Sequence, residues 1–248
     1  MSFPFDDGPP PGVSRREWRA RTTAASSPAS RTAAPESLAD LLGSAAPAPV
    51  SHTPPTILTV CTGNICRSPL AEVLLRARLE PLGVRVHSAG THAMVGHGMT
   101  EQAQEIAVRS GAAPSTAAGH AARYLVEPML AESDLVLTMA REHRSHAVQM
   151  MPSRLRQTFT AREFARLAAT LTDDVVRTVA DAAGSDPRAR LGAALRVLGD
   201  QRGLTLAAAE DDDVVDPYRR SQATYEASAA QLLPAIDEVE RVVRAALA

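Results

Sequence analysis

Along residues 54–248 the apolar positions change period repeatedly, and each change marks an expected element. Residues 56–60 (TILTV) form a short β-branched run, the pattern of a buried strand. After a short polar stretch, Pro69 opens a segment with Leu70, Val73, Leu74 and Ala77 at helical spacing, and Pro suits a first helical turn. Gly83 breaks that period. Residues 84–88 alternate as a second strand, and Ala89, Gly90 and Thr91 are expected to turn the chain. Residues 99–111 return to helical spacing through Ala103, Ile106 and Ala107, with Gly111 as a stop. Residues 134–139 predict a central strand and 140–150 a helix that Pro152 ends; residues 157–159 predict a fourth strand. Thr160 and Glu163 have capping-box spacing for a helix over 161–169. Tyr225, Leu232, Leu233, Ile236, Val239 and Val243 line a last helix. Strands alternating with helices predict an α/β fold of three layers, a parallel sheet with helices on both faces.

Two stretches stand outside that alternation. Between about 172 and 210, Val175, Val176, Val179 and Ala182–Ala183 predict one helix ending at Gly184. Asp186-Pro187 starts another, with Leu191, Leu195 and Leu198 on one face. This is expected to be a helical hairpin insertion, either covering part of a cleft, contacting a partner, or elaborating a surface loop. Residues 1–53 are rich in Pro, Ala, Ser and Arg and poor in large apolar residues. Such a segment cannot bury enough surface to offset its ordering entropy, so a disordered tail is expected before a single domain at 54–248. Its two less bland patches are the cluster Arg15, Arg16, Trp18, Arg19 and Arg21, and the SLADLL run at 37–42. No charged start leads into an apolar signal region, and no apolar run is long enough for a bilayer. The net charge of −2 gives no reason to expect nucleic acid or a membrane as partner.

The chemistry concentrates in residues 61–68, CTGNICRS, between the first strand and the first helix. The N–H groups of such a loop can converge on an anion, and the helix dipole favours negative charge there. Cys61, facing those donors, is expected to react as a thiolate. Arg67 offers a planar fork matched to two phosphate oxygens, and Ser68 can donate a hydrogen bond to the sulfur. Gly63 allows close backbone approach. Asn64 tolerates a positive φ. The chain has no Lys, and Asn64 is its sole Asn, which suggests that the loop backbone requires it. Both of the chain's 2 cysteines lie in this loop, so they make no disulfide framework, and a working thiolate suits a reducing cytoplasm. His52, His87, His92, His97, His143 and His146 show no metal-ligand spacing, so no metal is expected.

The run CTGNICRSP followed by Leu-Ala-Glu resembles the signature of the low-molecular-weight protein tyrosine phosphatases. The resemblance extends, apart from the hairpin, over about residues 56–246. It implies four parallel strands in the order 2-1-3-4. It implies hydrolysis of protein phosphotyrosine through a phosphocysteine, with Cys61 as nucleophile, Arg67 as phosphate ligand and Asp216, in the late Asp216-Pro217-Tyr218, as general acid. Thr62, Gly63, Asn64, Ile65, Cys66, Ser68 and Tyr218 would line the substrate site, Ser88 and His120 would support the loop, and Cys66 would condense with an oxidised Cys61. Arg219 after Tyr218 points to the bacterial type. The implied enzyme needs no cofactor and is a cytoplasmic monomer acting on phosphotyrosine proteins, a bacterial tyrosine kinase among them. Three alternatives stay open. An arsenate reductase on this fold would have to use an external thiol, since no cysteine lies outside the loop. A phosphoarginine phosphatase is disfavoured by Ile65, where that subfamily carries Thr. A non-catalytic phospho-binding module is disfavoured by the intact Cys61, Arg67 and Asp216.

Overall fold

A computed structural model describes residues 53–205 and 207–248. The expected tail up to residue 52, with its arginine cluster, the 37–42 run and His52, lies outside the described residues.

Strand β1 (Thr56–Cys61) is buried along its whole length, as a β-branched strand with neighbours on both sides should be. It pairs in parallel with β2 (Arg85–Gly90) on one side and β3 (Leu135–Thr138) on the other. β4 (Thr158–Thr160) pairs in parallel with β3, which completes the order β2-β1-β3-β4. The alternating fold expected from the sequence is therefore present, with one local difference at the end of β2. Ala89 and Gly90 do not turn; they extend the strand, and Gly90 pairs with Cys61. The reason is packing: a Cβ on Gly90 would stand 2.5 Å from the Thr62 carbonyl, so only glycine lets the two chains run together this far.

Helix α1 (Arg67–Leu79) starts before Pro69, which occupies its first turn, where a missing N–H costs nothing. Leu70, Val73, Leu74, Leu75 and Leu79 are buried in the main core with residues of the sheet and of neighbouring helices. Helix α2 (Glu101–Arg109) follows the expected 99–111 segment. The short α3 (Pro114–Ala118) and α4 (Glu127–Glu132), each opened by a proline, were not anticipated. Helix α5 (Arg141–Met150) returns to β4. Thr160 then caps α6 (Ala161–Ala168) in a full capping box with Glu163.

The hairpin forms as α7 (Asp173–Ala182), capped by Thr172, and α8 (Pro187–Asp200), capped by Asp186. It is not a flap. Val176, Ala180, Leu191, Ala194, Leu195 and Leu198 join the main core with residues of the final helix α9 (Gln222–Leu247). Arg202, just past α8, stacks 4.1 Å from the Phe159 ring centroid and bonds Glu163 (2.8 Å) and the Thr158 carbonyl (2.7 Å), tying the hairpin to β4. We expect Leu198→Ala, at a fully buried site, to cost about 2–5 kcal/mol in denaturant unfolding. Activity per folded molecule should be unchanged. A loss below about 1 kcal/mol would show the hairpin to be outside the cooperative core.

Candidate active site

β1 delivers Cys61 to the carboxyl end of the sheet, where open α/β sheets bind ligands. The loop from Thr62 to Cys66 then enters α1. Its carbonyls are tied outward: Cys61 to the Thr91 N–H, Thr62 to His92, Gly63 to Met94 and Ile65 to Thr100, at 2.9–3.0 Å. Because C=O and N–H point oppositely in a planar peptide, this anchoring turns the loop's N–H edges inward. Asn64 adopts φ 56°, the left-handed conformation that Asn tolerates best among side-chain-bearing residues, and its N–H lies 3.3 Å from Cys61 Sγ.

The Asn64 amide is fully buried and organises the layer behind the loop. Its Nδ2 donates to Ser68 Oγ (3.0 Å) and Ser88 Oγ (2.7 Å), and its Oδ1 accepts from the Arg123 N–H (3.0 Å). Since Nδ2 can only donate, both serines accept there and send their own protons elsewhere. Ser88 donates to Glu72 Oε2 at 2.5 Å. The Ser68 hydroxyl lies 2.9 Å from Cys61 Sγ, closer than the 3.4 Å to the Ala89 carbonyl. His120 Nε2 donates to the Asn64 carbonyl at 2.7 Å, and its Nδ1 lies 3.5 Å from Glu72. Burial alone would raise the Glu72 pKa; hydrogen bonds from His120 and Ser88 and the charge of Arg123 outweigh it and hold the carboxyl below its usual range.

Arg67 is 4% exposed. It donates to the Val214 carbonyl (3.0 Å) and pairs with Asp216 Oδ2 (2.7 Å), while its buried Nε has no partner among the described residues. Asp216 is half exposed and accepts from the Tyr218 N–H at 3.1 Å, a local turn that presents both residues. Arg219 continues the turn at φ 58°. Between these walls lies a cavity of about 160 Å³, lined by Cys61, Thr62, Gly63, Ile65, Cys66, Arg67, His92, Met94, Asp216 and Tyr218. Of the residues expected to line the substrate site, Asn64 and Ser68 have their side chains behind the loop rather than in the cavity; Ser88 and His120, expected to support the loop, lie in that same layer. His92 and Met94 line it without having been anticipated; the signal for them is the segment after β2, which must pass the loop's outer edge. No residue of α7 or α8 is in the lining, so the hairpin does not cover the cleft.

Cys66 Sγ packs 3.5 Å from Thr100 Oγ1 and 3.6 Å from the Tyr225 hydroxyl, and burial pushes its thiol pKa up. Burial likewise raises Tyr225 to about 12. Both cysteines are free thiols. Among the described residues no helix is long and apolar enough to cross a membrane.

The family model for low molecular weight phosphotyrosine protein phosphatases matches residues 56–186, more than half of the 248-residue chain. The chain belongs to this family. The match runs through α7 and ends before Asp216. Among relatives, the low molecular weight protein-tyrosine-phosphatase Etp of Escherichia coli (strain K12) is 44% identical over 97 residues, 39% of this chain and 62% of Etp. This chain thus spans less than two thirds of that phosphatase. The family fold extends further in space. The Erwinia amylovora tyrosine phosphatase AmsI superposes over 75% of this chain and 91% of its own at TM-score 0.51 and 26% identity. The phosphatase from T. tengcongensis covers 75% and 97% at TM-score 0.52 and 28% identity. The YwlE arginine phosphatase from Geobacillus stearothermophilus covers 75% and 91% at TM-score 0.52 and 26% identity.

Proposed function

We propose that the protein hydrolyses phosphotyrosine in protein substrates through a phosphocysteine on Cys61. The observation that carries this reading is the convergence on Cys61 Sγ of the Ser68 hydroxyl and the Asn64 N–H, beside a buried Arg67 with an unpartnered Nε. In the first step the Cys61 thiolate attacks phosphorus in line. The phosphorus–oxygen bond to tyrosine breaks, and Asp216 gives its proton to the departing phenolate. Arg67 and the inward N–H edges hold the non-bridging oxygens, where charge must be stabilised. A phosphoryl group that takes over the Arg67 guanidinium releases Asp216 from its ion pair; the freed carboxylate takes up a proton from solvent and then faces the leaving oxygen as the acid. In the second step Asp216 takes a proton from water, which attacks phosphorus and expels the Cys61 thiolate. The Ser68 hydroxyl stabilises that leaving sulfur.

The apolar wall of Ile65, Met94 and Tyr218 suits an aromatic ring. Ile65 offers a guanidinium no acceptor, which weighs against phosphoarginine despite the likeness to an arginine phosphatase. The enzyme we propose is a cytoplasmic monomer that uses no cofactor, with a bacterial tyrosine kinase among its phosphoprotein partners. The test is steady-state turnover of a phosphotyrosine peptide, a phosphoarginine peptide and arsenate with an external thiol. The expected result is kcat/KM of at least about 10⁴ M⁻¹s⁻¹ for the first and far less for the others. Faster turnover of either alternative would replace the reading.

A further inference from the structure

His143, in the first turn of α5, is 2% exposed and takes no part in the chemistry above. Its Nε2 lies 2.9 Å from Thr62 Oγ1, on the residue that follows the nucleophile. Burial and the nearby Arg67 charge push the His143 pKa down to about 3, so the ring is neutral and carries one proton. The geometry says which nitrogen holds it. Nε2 also lies 3.3 Å from Glu142 Oε1, and a carboxylate oxygen can only accept. Nδ1 is buried without a partner among the described residues. A proton on Nδ1 would be a buried unpaired donor and would turn the Nε2 lone pair toward an anion, so the proton sits on Nε2. Thr62 Oγ1 is therefore an acceptor from His143, and its own hydrogen is free. No other partner of that hydroxyl occurs among the described residues, and Thr62 lines the cavity beside Cys61. The Thr62 backbone is clamped, its carbonyl bonded to the His92 N–H at 2.9 Å and set against Gly90.

We propose that the Thr62 hydroxyl donates to a phosphoryl oxygen of the substrate, and that His143 is the positioning residue that turns this donor toward the cleft. The proposal rests on the phosphatase reading, which supplies the phosphoryl group. The occupant it requires is a phosphoryl or phosphate oxygen near Thr62, a contact that neither the loop N–H groups nor Arg67 makes.

The test is a double-mutant cycle on the full chain, read on kcat/KM for a small aryl phosphate and on the Kd for inorganic phosphate by calorimetry. Thr62→Val should lower kcat/KM and weaken phosphate binding by about tenfold or more, the size of a lost charge-assisted hydrogen bond. Thr62→Ser, which keeps the hydroxyl, should recover most of that loss. His143→Phe should produce a similar loss alone but none on top of Thr62→Val, an effect that simple loosening of α5 would not give. His143→Gln places an amide N–H near the Nε2 position and should restore binding, which guards against a phenylalanine variant that folds poorly. A Thr62→Val protein within twofold of wild type in both measurements overturns the proposal. Equal losses from His143→Phe with and without Thr62→Val also overturn it. A wild type that binds phosphate without turnover rejects the hydrolase reading, and the same cycle on Kd still decides the role of Thr62 and His143.

Discussion

Cys61→Ser is expected to abolish turnover, by at least about 10⁴-fold, while the protein still binds inorganic phosphate. The two outcomes separate because nucleophile and anion site are built from different atoms. Serine at the end of β1 keeps the strand, the left-handed Asn64 and the outward-tied carbonyls, so the N–H edges and Arg67 stay in place. What is lost is the thiolate. A serine hydroxyl beside Ser68 Oγ and the Asn64 N–H has, among the described residues, no base in hydrogen-bond contact to take its proton, and those neighbours offer hydrogen bonds rather than accept a proton. Burst kinetics with an aryl phosphate should show no burst of phenol release, and calorimetry should show phosphate Kd within a few-fold of wild type. Turnover near wild type would remove Cys61 from the nucleophile role. Loss of phosphate binding in a folded variant would show that the sulfur itself holds the anion.

The parts of the fold that the sequence announces are those whose signal is local. The β-branched run of β1, the helical spacing of α1 and the Thr160–Glu163 box each declare themselves within a few residues, and each is present. Asn64 is legible for a similar reason: one residue type tolerates the backbone that the loop needs, and in a chain with no other Asn its position carries information. The layer behind the loop is different. Glu72, Arg123, Thr100, Tyr225 and His143 reach the loop from α1, the segment before α4, the approach to α2, α9 and α5. Glu72 stands in the Leu-Ala-Glu after the loop and Tyr225 in the apolar line of the last helix, but their neighbourhoods do not show which group each one meets, because a buried partner is defined by what lies across the fold. Gly90 illustrates the same limit. Next to Ala89 and Thr91 it looks like a turn residue, and only the Thr62 carbonyl opposite shows why it stays in the ladder. α3 and α4 are too short to establish a period. The hairpin's Leu191, Leu195 and Leu198 do declare an apolar face, but not that its partner is the main core rather than a substrate or another protein.

Asp216→Ala should slow substrates in proportion to the basicity of their leaving group. A general acid matters most when the departing oxygen must be protonated to leave, so a phenyl phosphate should lose about 10²–10⁴-fold and a strongly activated aryl phosphate far less. The structure adds a second consequence. Asp216 is also the acidic partner of Arg67, at 2.7 Å, in the free protein. Removing it leaves the buried guanidinium holding, among the described residues, the Val214 carbonyl, so a phosphoryl group no longer competes with a carboxylate for it. Phosphate should therefore bind Asp216→Ala at least as tightly as wild type while kcat falls, a split that loss of the site's architecture would not give. Asp216→Asn separates the two effects further, because the amide keeps a hydrogen-bonding shape at the turn but has neither the charge nor the transferable proton. It should follow the alanine variant in leaving-group dependence. Equal losses for every leaving group, in either variant, would assign the proton to another donor, and the Tyr218 turn would then serve only to close the cleft.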